Sequence, residues 1–240
     1  MNMSSKRPAL QGLSAAMPIW VGYIAIGIPF GVLARQANLS VIDIALMSAI
    51  VFAGSSQFIA VSMLASGASA LPIIITTFFV NLRHLLMSSS LALHVKGTSK
   101  PLLSLFAYGV TDESFAVNLT RFSQGQWGMK QALTVNHTAN FVWIASTVAG
   151  GYLGNLIPQD TLGIDFALSA MFIGLLVYQL KGGLILLIST ISGVLSVIFC
   201  LMLPGAWNVV LSSTIAATIG VVITRSNANR RKEGRKNHVS

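Results

Sequence analysis

The run Val41-Ile42-Asp43-Ile44-Ala45-Leu46-Met47-Ser48-Ala49-Ile50-Val51-Phe52-Ala53-Gly54-Ser55-Ser56-Gln57-Phe58-Ile59-Ala60-Val61-Ser62-Met63-Leu64-Ala65-Ser66 is long and apolar enough to cross a bilayer. A hydrocarbon core of ~30 Å takes about 20 helical residues. Near its middle, however, stands Gly54-Ser55-Ser56-Gln57, which is poor sequence for the centre of a membrane helix. Two readings are open. In one, the helix breaks and a second half begins near Ser55 or Ser56, where free N–H groups and the positive end of the helix dipole suit a carboxylate. In the other, the small residues let a neighbouring helix approach closely.

Apolar segments of spanning or near-spanning length recur on both sides of this run. They cover about 10–34, 41–66, 70–95, 101–121, 131–157, 162–180, 183–203 and 206–224. Of the 240 residues, 54% are hydrophobic and 9% charged, and the mean hydropathy is +0.75. Soluble domains carry about 25% charged residues, so the apolar surface here must face lipid. Backbone groups in lipid must be satisfied internally, which makes the segments helices, and the alternation of a membrane barrel is absent. The expected fold is therefore an all-α, polytopic transmembrane helical bundle, a single domain over residues 1–240. It has about eight segments, some broken or re-entrant, and seven crossings if one early segment is re-entrant. The stretch from Leu10 to Ala34 is too long for a signal-peptide core and reads as the first span.

The charge balance is +9, and its placement carries the information. Lys6 and Arg7 stand in the tail at 1–9; Arg225, Arg230, Arg231, Lys232, Arg235 and Lys236 stand in the tail at 225–240. Basic tails beside membrane spans mark the cytoplasmic side and meet anionic headgroups, so they are read as cytoplasmic tails rather than as nucleic-acid arms. Two cytoplasmic ends require an even number of crossings, which eight segments provide. Arg121, Lys130 and Lys181 then also fall inside, and Arg35, Lys96 and Lys100 outside. The loop with Lys96 and Lys100 runs against the bias.

Polar residues concentrate in the second to fifth segments. In the third, Asn81-Leu82-Arg83-His84 lies near the centre. A mid-membrane arginine costs roughly 2.5–3.5 kcal/mol on insertion scales, so Arg83 is expected to face the protein interior or a water-filled cavity. Its planar fork matches a carboxylate, from a substrate or from a structural ion-pair partner. In the fourth, Asp112 and Glu113 follow Gly109 and Thr111. Adjacent helical residues point about 100° apart, so the two acids cannot share one narrow face. One is expected to pair with Arg83, and the other is a candidate proton carrier; the alternative reading is that both simply neutralise basic neighbours. In the fifth, Asn136 and Asn140 share a face, with His137 beside them. Candidate substrate-binding residues are thus Gly54, Ser55, Ser56, Gln57, Asn81, Arg83, Asn136 and Asn140. Candidate proton-coupling residues are His84, Asp112, Glu113 and His137.

Other features argue for exclusion or for packing. The single cysteine, Cys200, forms no intrachain disulfide and no thiolate cluster. Hydrolase, metalloprotease and phosphate-loop motifs are lacking, so no enzyme, metal or cofactor is expected. A metal on His84, Asp112 and Glu113 is a weaker reading. The spacings Gly27-x-x-x-Gly31 and Gly150-x-x-x-Gly154 suit helix packing or a kink.

Phe52-Ala53-Gly54-Ser55-Ser56-Gln57-Phe58, Asn81-Leu82-Arg83-His84 and Tyr108-Gly109-Val110-Thr111-Asp112-Glu113-Ser114-Phe115-Ala116 together resemble, in order and spacing, the AzlC family, over roughly residues 10–225. The resemblance implies the large subunit of a bacterial inner-membrane exporter of valine, leucine and isoleucine, often with methionine, driven by protons. It also implies a small hydrophobic partner of the AzlD type. Some relatives carry an aspartate where this chain has Asn81, so any coupling by that acid falls here to Asp112, Glu113 or nothing. A passive channel and a non-transporting membrane scaffold are the rival readings. Charged clusters on separate mid-membrane segments favour a coupled carrier.

Overall fold

The computed structural model describes residues 8–125, 127–156 and 183–202, together with 173, 176, 177, 180, 211, 212, 215, 216 and 218–223. The chain divides into two compact units, Met1–Met171 and Phe172–Ser240. In the first unit the helices are α1 (Pro8–Gln36), α2 (Val41–Ile50), α3 (Gly54–Ala65), α4 (Ala70–Ala92), α5 (Lys100–Tyr108), α6 (Asp112–Ser123) and α7 (Met129–Leu153). In the second, α8 runs Gly183–Met202. The described residues contain only helices and turns, and α1, α4 and α8 are each long and apolar enough to cross a membrane. The expected segment at 162–180, the two basic tails, and the turns at 158–161 and 204–205 lie wholly or mostly outside the described residues; the segment at 206–224 is described at 211, 212, 215, 216 and 218–223, all helical.

The first unit is organised by α1 against α7. The two Gly-x-x-x-Gly spacings face each other: a Cβ on Gly31 would collide with the carbonyl oxygen of Thr147, and one on Gly150 with that of Ile28. Neither neighbour is a flexible side-chain tip that can swing aside. Without a hydrophobic driving force between helices in lipid, such close backbone approach is what gives dispersion contacts their grip. Buried aromatics extend this seam. Trp143 packs edge-on against Tyr23, with ring centres 5.2 Å apart, and stacks with Phe30 at 5.9 Å; Phe30 in turn meets Phe58 of α3.

Two of the expected spans are each interrupted. The segment at 41–66 is α2 and α3, separated by Val51, Phe52 and Ala53; the segment at 101–121 is α5 and α6, separated by Gly109, Val110 and Thr111. The first break follows the broken-helix reading. The second divides the expected segment at 101–121: the helix stops at Gly109, and Thr111 starts a new one. Thr111 is an N-cap whose hydroxyl accepts from the Ser114 N–H while the Ser114 hydroxyl accepts from the Thr111 N–H. This reciprocal cap satisfies the free donors of a helix start without help from water.

Buried side chains satisfy the other groups freed by the breaks. At the first, Gln57 is fully buried, and its Oε1 accepts from the Ala53 N–H at 3.2 Å and from Trp143 Nε1 at 3.0 Å. Its Nε2 donates to Ser48 Oγ, which also bonds Thr147 Oγ1 at 2.8 Å. Phe52 sits in the left-handed region at φ 42°, unusual for an aromatic residue, and is held there by Tyr23 and Tyr108 rings at 6.2 Å. At the second break, Asn136 Nδ2 donates to the Phe106 carbonyl at 2.9 Å, and His84 Nδ1 lies 2.9 Å from the Val110 carbonyl. A Cβ on Gly109 would stand 2.6 Å from the Asn136 Cβ, so this glycine is what lets the asparagine reach the free carbonyl.

Two stability tests follow from this packing. Gly31→Ala should destabilise the chain by about 1–3 kcal/mol, the usual range for overpacking. Gly22→Ala, where a Cβ meets nothing within 4 Å, should be neutral or slightly stabilising. Thermal unfolding in detergent compares the two. Gln57→Leu keeps the volume but orphans the Ala53 N–H and the Trp143 indole, and should cost about 1–3 kcal/mol for each; an unchanged midpoint would contradict the bonding described for the first break.

Candidate functional site

The two breaks bring two helix N-termini to one arginine. Arg83 projects from mid-α4. Its Nη1 lies 2.8 Å from Asp112 Oδ2, and Asp112 is the first residue of α6. Its Nη2 donates to Ser55 Oγ, and Ser55 is the second residue of α3. One guanidinium thus ties together both half-helix starts. The expectation that Arg83 meets one of the two acids selects Asp112. The side chains of Arg83 and Asp112 are 33% and 35% exposed, so the pair opens outward rather than being sealed in the core. Arg83 Nε is buried and makes no bond among the described residues.

Glu113 takes a different position from its neighbour, as the 100° step between adjacent helical residues requires. It accepts a hydrogen bond from Tyr23 Oη at 2.9 Å, and Tyr23 Oη also meets Thr111 Oγ1 at 2.7 Å. Among the described residues no cation pairs with Glu113. Arg83, Asp112 and Glu113 together therefore carry one positive and two negative charges when ionised, leaving one negative charge uncompensated by an ion pair.

The other candidates divide by burial. Gln57 and Asn136 are fully buried and hold the breaks together, Asn136 Oδ1 also accepting from Asn118 Nδ2 at 2.9 Å. Ser56 is buried, with its hydroxyl on the Ala53 carbonyl. Gly54 lies under Trp143, whose ring a Cβ would meet at 3.2 Å. Asn140 and His137 lie together on α7 beside Tyr108, away from the bonds made by Arg83. Tyr108 Oη has one proton; it donates to the Ala49 carbonyl, and Asn140 Oδ1, at 3.4 Å, is the weaker second contact. Asn140 Nδ2, His137 Nε2, His84 Nε2 and Asn81 Oδ1 have no partner among the described residues. In the same residues, no three of His, Cys, Asp and Glu converge as a metal site.

Between α2, α3 and α4 runs an apolar groove of about 720 Å³, walled by Met47, Val51, Ala60, Ile74 and Leu85, with Ser56 and Asn81 among its few polar groups; Arg83 does not line it. The reading of the sequence left the apolar wall unassigned and passed over Tyr23, Tyr108, Asn118 and Trp143. A signal existed for Tyr23: a phenol in the apolar run Gly22-Tyr23-Ile24-Ala25 must find a polar partner once buried. Which partner it finds depends on how α1 meets α6.

No solved structure matches this chain. A branched-chain amino acid transport protein, AzlC, of Bacillus subtilis is 32% identical over 168 residues; the match covers 68% of this chain and 64% of that protein, less than two thirds of its length. An uncharacterized membrane protein of Archaeoglobus fulgidus is 33% identical, covering 72% of this chain and 76% of its own. The inner membrane protein YgaZ of Escherichia coli is 28% identical, covering 68% and 67%. The sequence model of the AzlC protein family matches residues 18–157, the stretch that carries the α1–α7 seam, both breaks and Arg83. The chain therefore belongs to the AzlC family of membrane proteins.

Proposed function

We propose that this chain is a secondary transporter that exports branched-chain amino acids (valine, leucine and isoleucine, with methionine as a further substrate) across the bacterial inner membrane, coupled to protons. The observation that carries the reading is the single guanidinium shared between Asp112 at the start of α6 and Ser55 at the start of α3. A zwitterionic amino acid matches that pair: its carboxylate replaces Asp112 on Arg83 and receives the N-terminal dipole of α3, and its ammonium takes Asp112. The apolar groove between α2, α3 and α4, lined on α4 by Asn81, Leu82 and Leu85, offers an aliphatic side chain a wall. Substrate then exchanges one ion pair for two, so the desolvated charges stay compensated throughout. The transport named for the Bacillus relative agrees with this substrate class.

Protonation at the acidic start of α6, with His84 and His137 as further titrating groups, biases the two access states, provided proton and substrate prefer different ones. The chain forms one transmembrane domain over 1–240 with cytoplasmic tails at 1–9 and 225–240, and works with a small hydrophobic subunit of the AzlD type.

Efflux of valine from loaded cells tests the site. Arg83→Ala or Asp112→Asn, at equal expression, should lower efflux by at least about tenfold, since breaking a hydrogen-bonded charge pair at a binding site costs about 2–5 kcal/mol when buried and less when partly exposed. Exchanging the two, Arg83→Asp with Asp112→Arg, should restore expression but not efflux. Wild-type efflux from the single variants would make the pair structural, as a scaffold requires. A passive channel would equilibrate valine but never accumulate it when a proton gradient is imposed on reconstituted vesicles.

A further inference from the structure

Tyr23 is the one α1 side chain bonded to the acidic start of α6, and the direction of its bonds is fixed by proton count. Its phenol has a single proton, which goes to Glu113 Oε2 at 2.9 Å. The Thr111 hydroxyl, 2.7 Å away, must then donate to Tyr23 Oη, and its own oxygen accepts from the Ser114 N–H at 3.3 Å. The bonds run one way: Ser114 N–H to Thr111, Thr111 to Tyr23, Tyr23 to Glu113. All point at one carboxylate oxygen, and a chain of this kind strengthens each of its members. The tyrosine itself is closely held. It is 6% exposed, clamped edge-on by Trp143, and its backbone carbonyl accepts from Ser146 Oγ of α7 at 3.1 Å. It belongs to the α1–α7 seam, whereas Glu113 and Thr111 belong to α6.

We infer that Tyr23 is the positioning residue through which protonation of Glu113 releases the start of α6 from the α1–α7 seam; this rests on the proton-coupled transport proposed above. A proton on Oε2 turns that atom from acceptor into donor. Tyr23 Oη can then accept from Glu113, but its own proton loses its acceptor unless Thr111 turns and abandons its bond in the chain. A proton on Oε1 instead leaves Tyr23 donating to a neutral Oε2; in every case the bond between α1 and α6 loses its charge assistance. Asp112 is the residue next to Glu113, so movement of this helix start alters the Arg83–Asp112 pair that substrate must open.

The groups able to bias Glu113 come from each element packed on α6. From α1 this is Tyr23. From α4 they are Arg83, which bonds Asp112, and His84, which faces the Val110 carbonyl. The titratable groups of α7 are Lys130, exposed at its start, and His137, stacked on Tyr108; neither bonds Glu113. From α6 itself it is Asp112. Among the described residues only Tyr23 bonds Glu113 directly.

The test uses the full chain with its small subunit in proteoliposomes, comparing valine counterflow, which needs no net proton movement, with net uptake driven by an imposed pH gradient. Tyr23→Phe keeps the ring and its contact with Trp143 but removes the hydroxyl. It should lower gradient-driven uptake about tenfold, the equivalent of one charge-assisted hydrogen bond, and leave counterflow within about twofold of wild type. Glu113→Gln should behave alike, and Tyr23→Phe added to it should change nothing further. Equal loss of both activities in Tyr23→Phe would assign the tyrosine a structural role and overturn the inference. So would wild-type coupling in Tyr23→Phe while the Arg83→Ala chain is inactive. Wild-type protein indifferent to the pH gradient would overturn the coupling itself, and with it this role for Tyr23.

Discussion

In hydrocarbon a backbone N–H or C=O without a partner costs several kcal/mol, and two helices of this chain stop and restart within their apolar segments. Everything distinctive about the first unit answers that constraint. Thr111 and Ser114 cap one restart, and Gln57 serves the other through its bond to the Ala53 N–H. Asn136 covers the Phe106 carbonyl, and Tyr108 covers that of Ala49. Each of these side chains must be held in turn, and the α1–α7 seam holds them, with Trp143 on Gln57 and Ser146 on the Tyr23 carbonyl. The glycines that allow the seam to close are thus as necessary to the site as the polar residues in it.

The breaks also create what an unbroken bundle lacks. A continuous helix keeps its positive end at the membrane surface, where water and ions screen it. A helix that starts inside the apolar segment offers that end to a group within the protein. Here two such starts share one arginine, and Asp112 and Glu113 at the second start carry the negative charge. The arginine is tolerated at mid-helix because Asp112 lies 2.8 Å away. Breaking that pair without a substitute leaves a charge uncompensated, and the proposed zwitterionic substrate answers this by bringing both signs at once.

The division of labour between Asp112 and Glu113 comes from the same geometry. The two acids are neighbours in the chain, but the helical step sends one to α4 and the other to α1. Asp112 finds a cation and Glu113 finds a phenol. The elements that hold them differ as well: Arg83 lies on α4, whereas Tyr23 is fixed in the seam.

Much of this could be read in the sequence. The apolar lengths required helices in lipid, and Gly54-Ser55-Ser56-Gln57 marked either a break or a close helix contact, because small and polar residues are poor sequence for the centre of a membrane helix. Arg83 demanded an anion for the same reason. Those inferences are local, resting on the solvent a residue must face. The second break was only half visible, since Gly109 weakens a helix but does not end it, and the cap formed by Thr111 and Ser114 is decided by competition with continued helix. Tertiary structure alone decided the pairings. Asn136 and Gln57 carry the same amide chemistry as a substrate-binding residue, yet their bonds go to freed backbone. Tyr23 needs a polar partner wherever it is buried, and only the packing of α1 against α6 makes that partner Glu113. Sequence determines which groups need partners; only packing decides which partners lie within 3 Å.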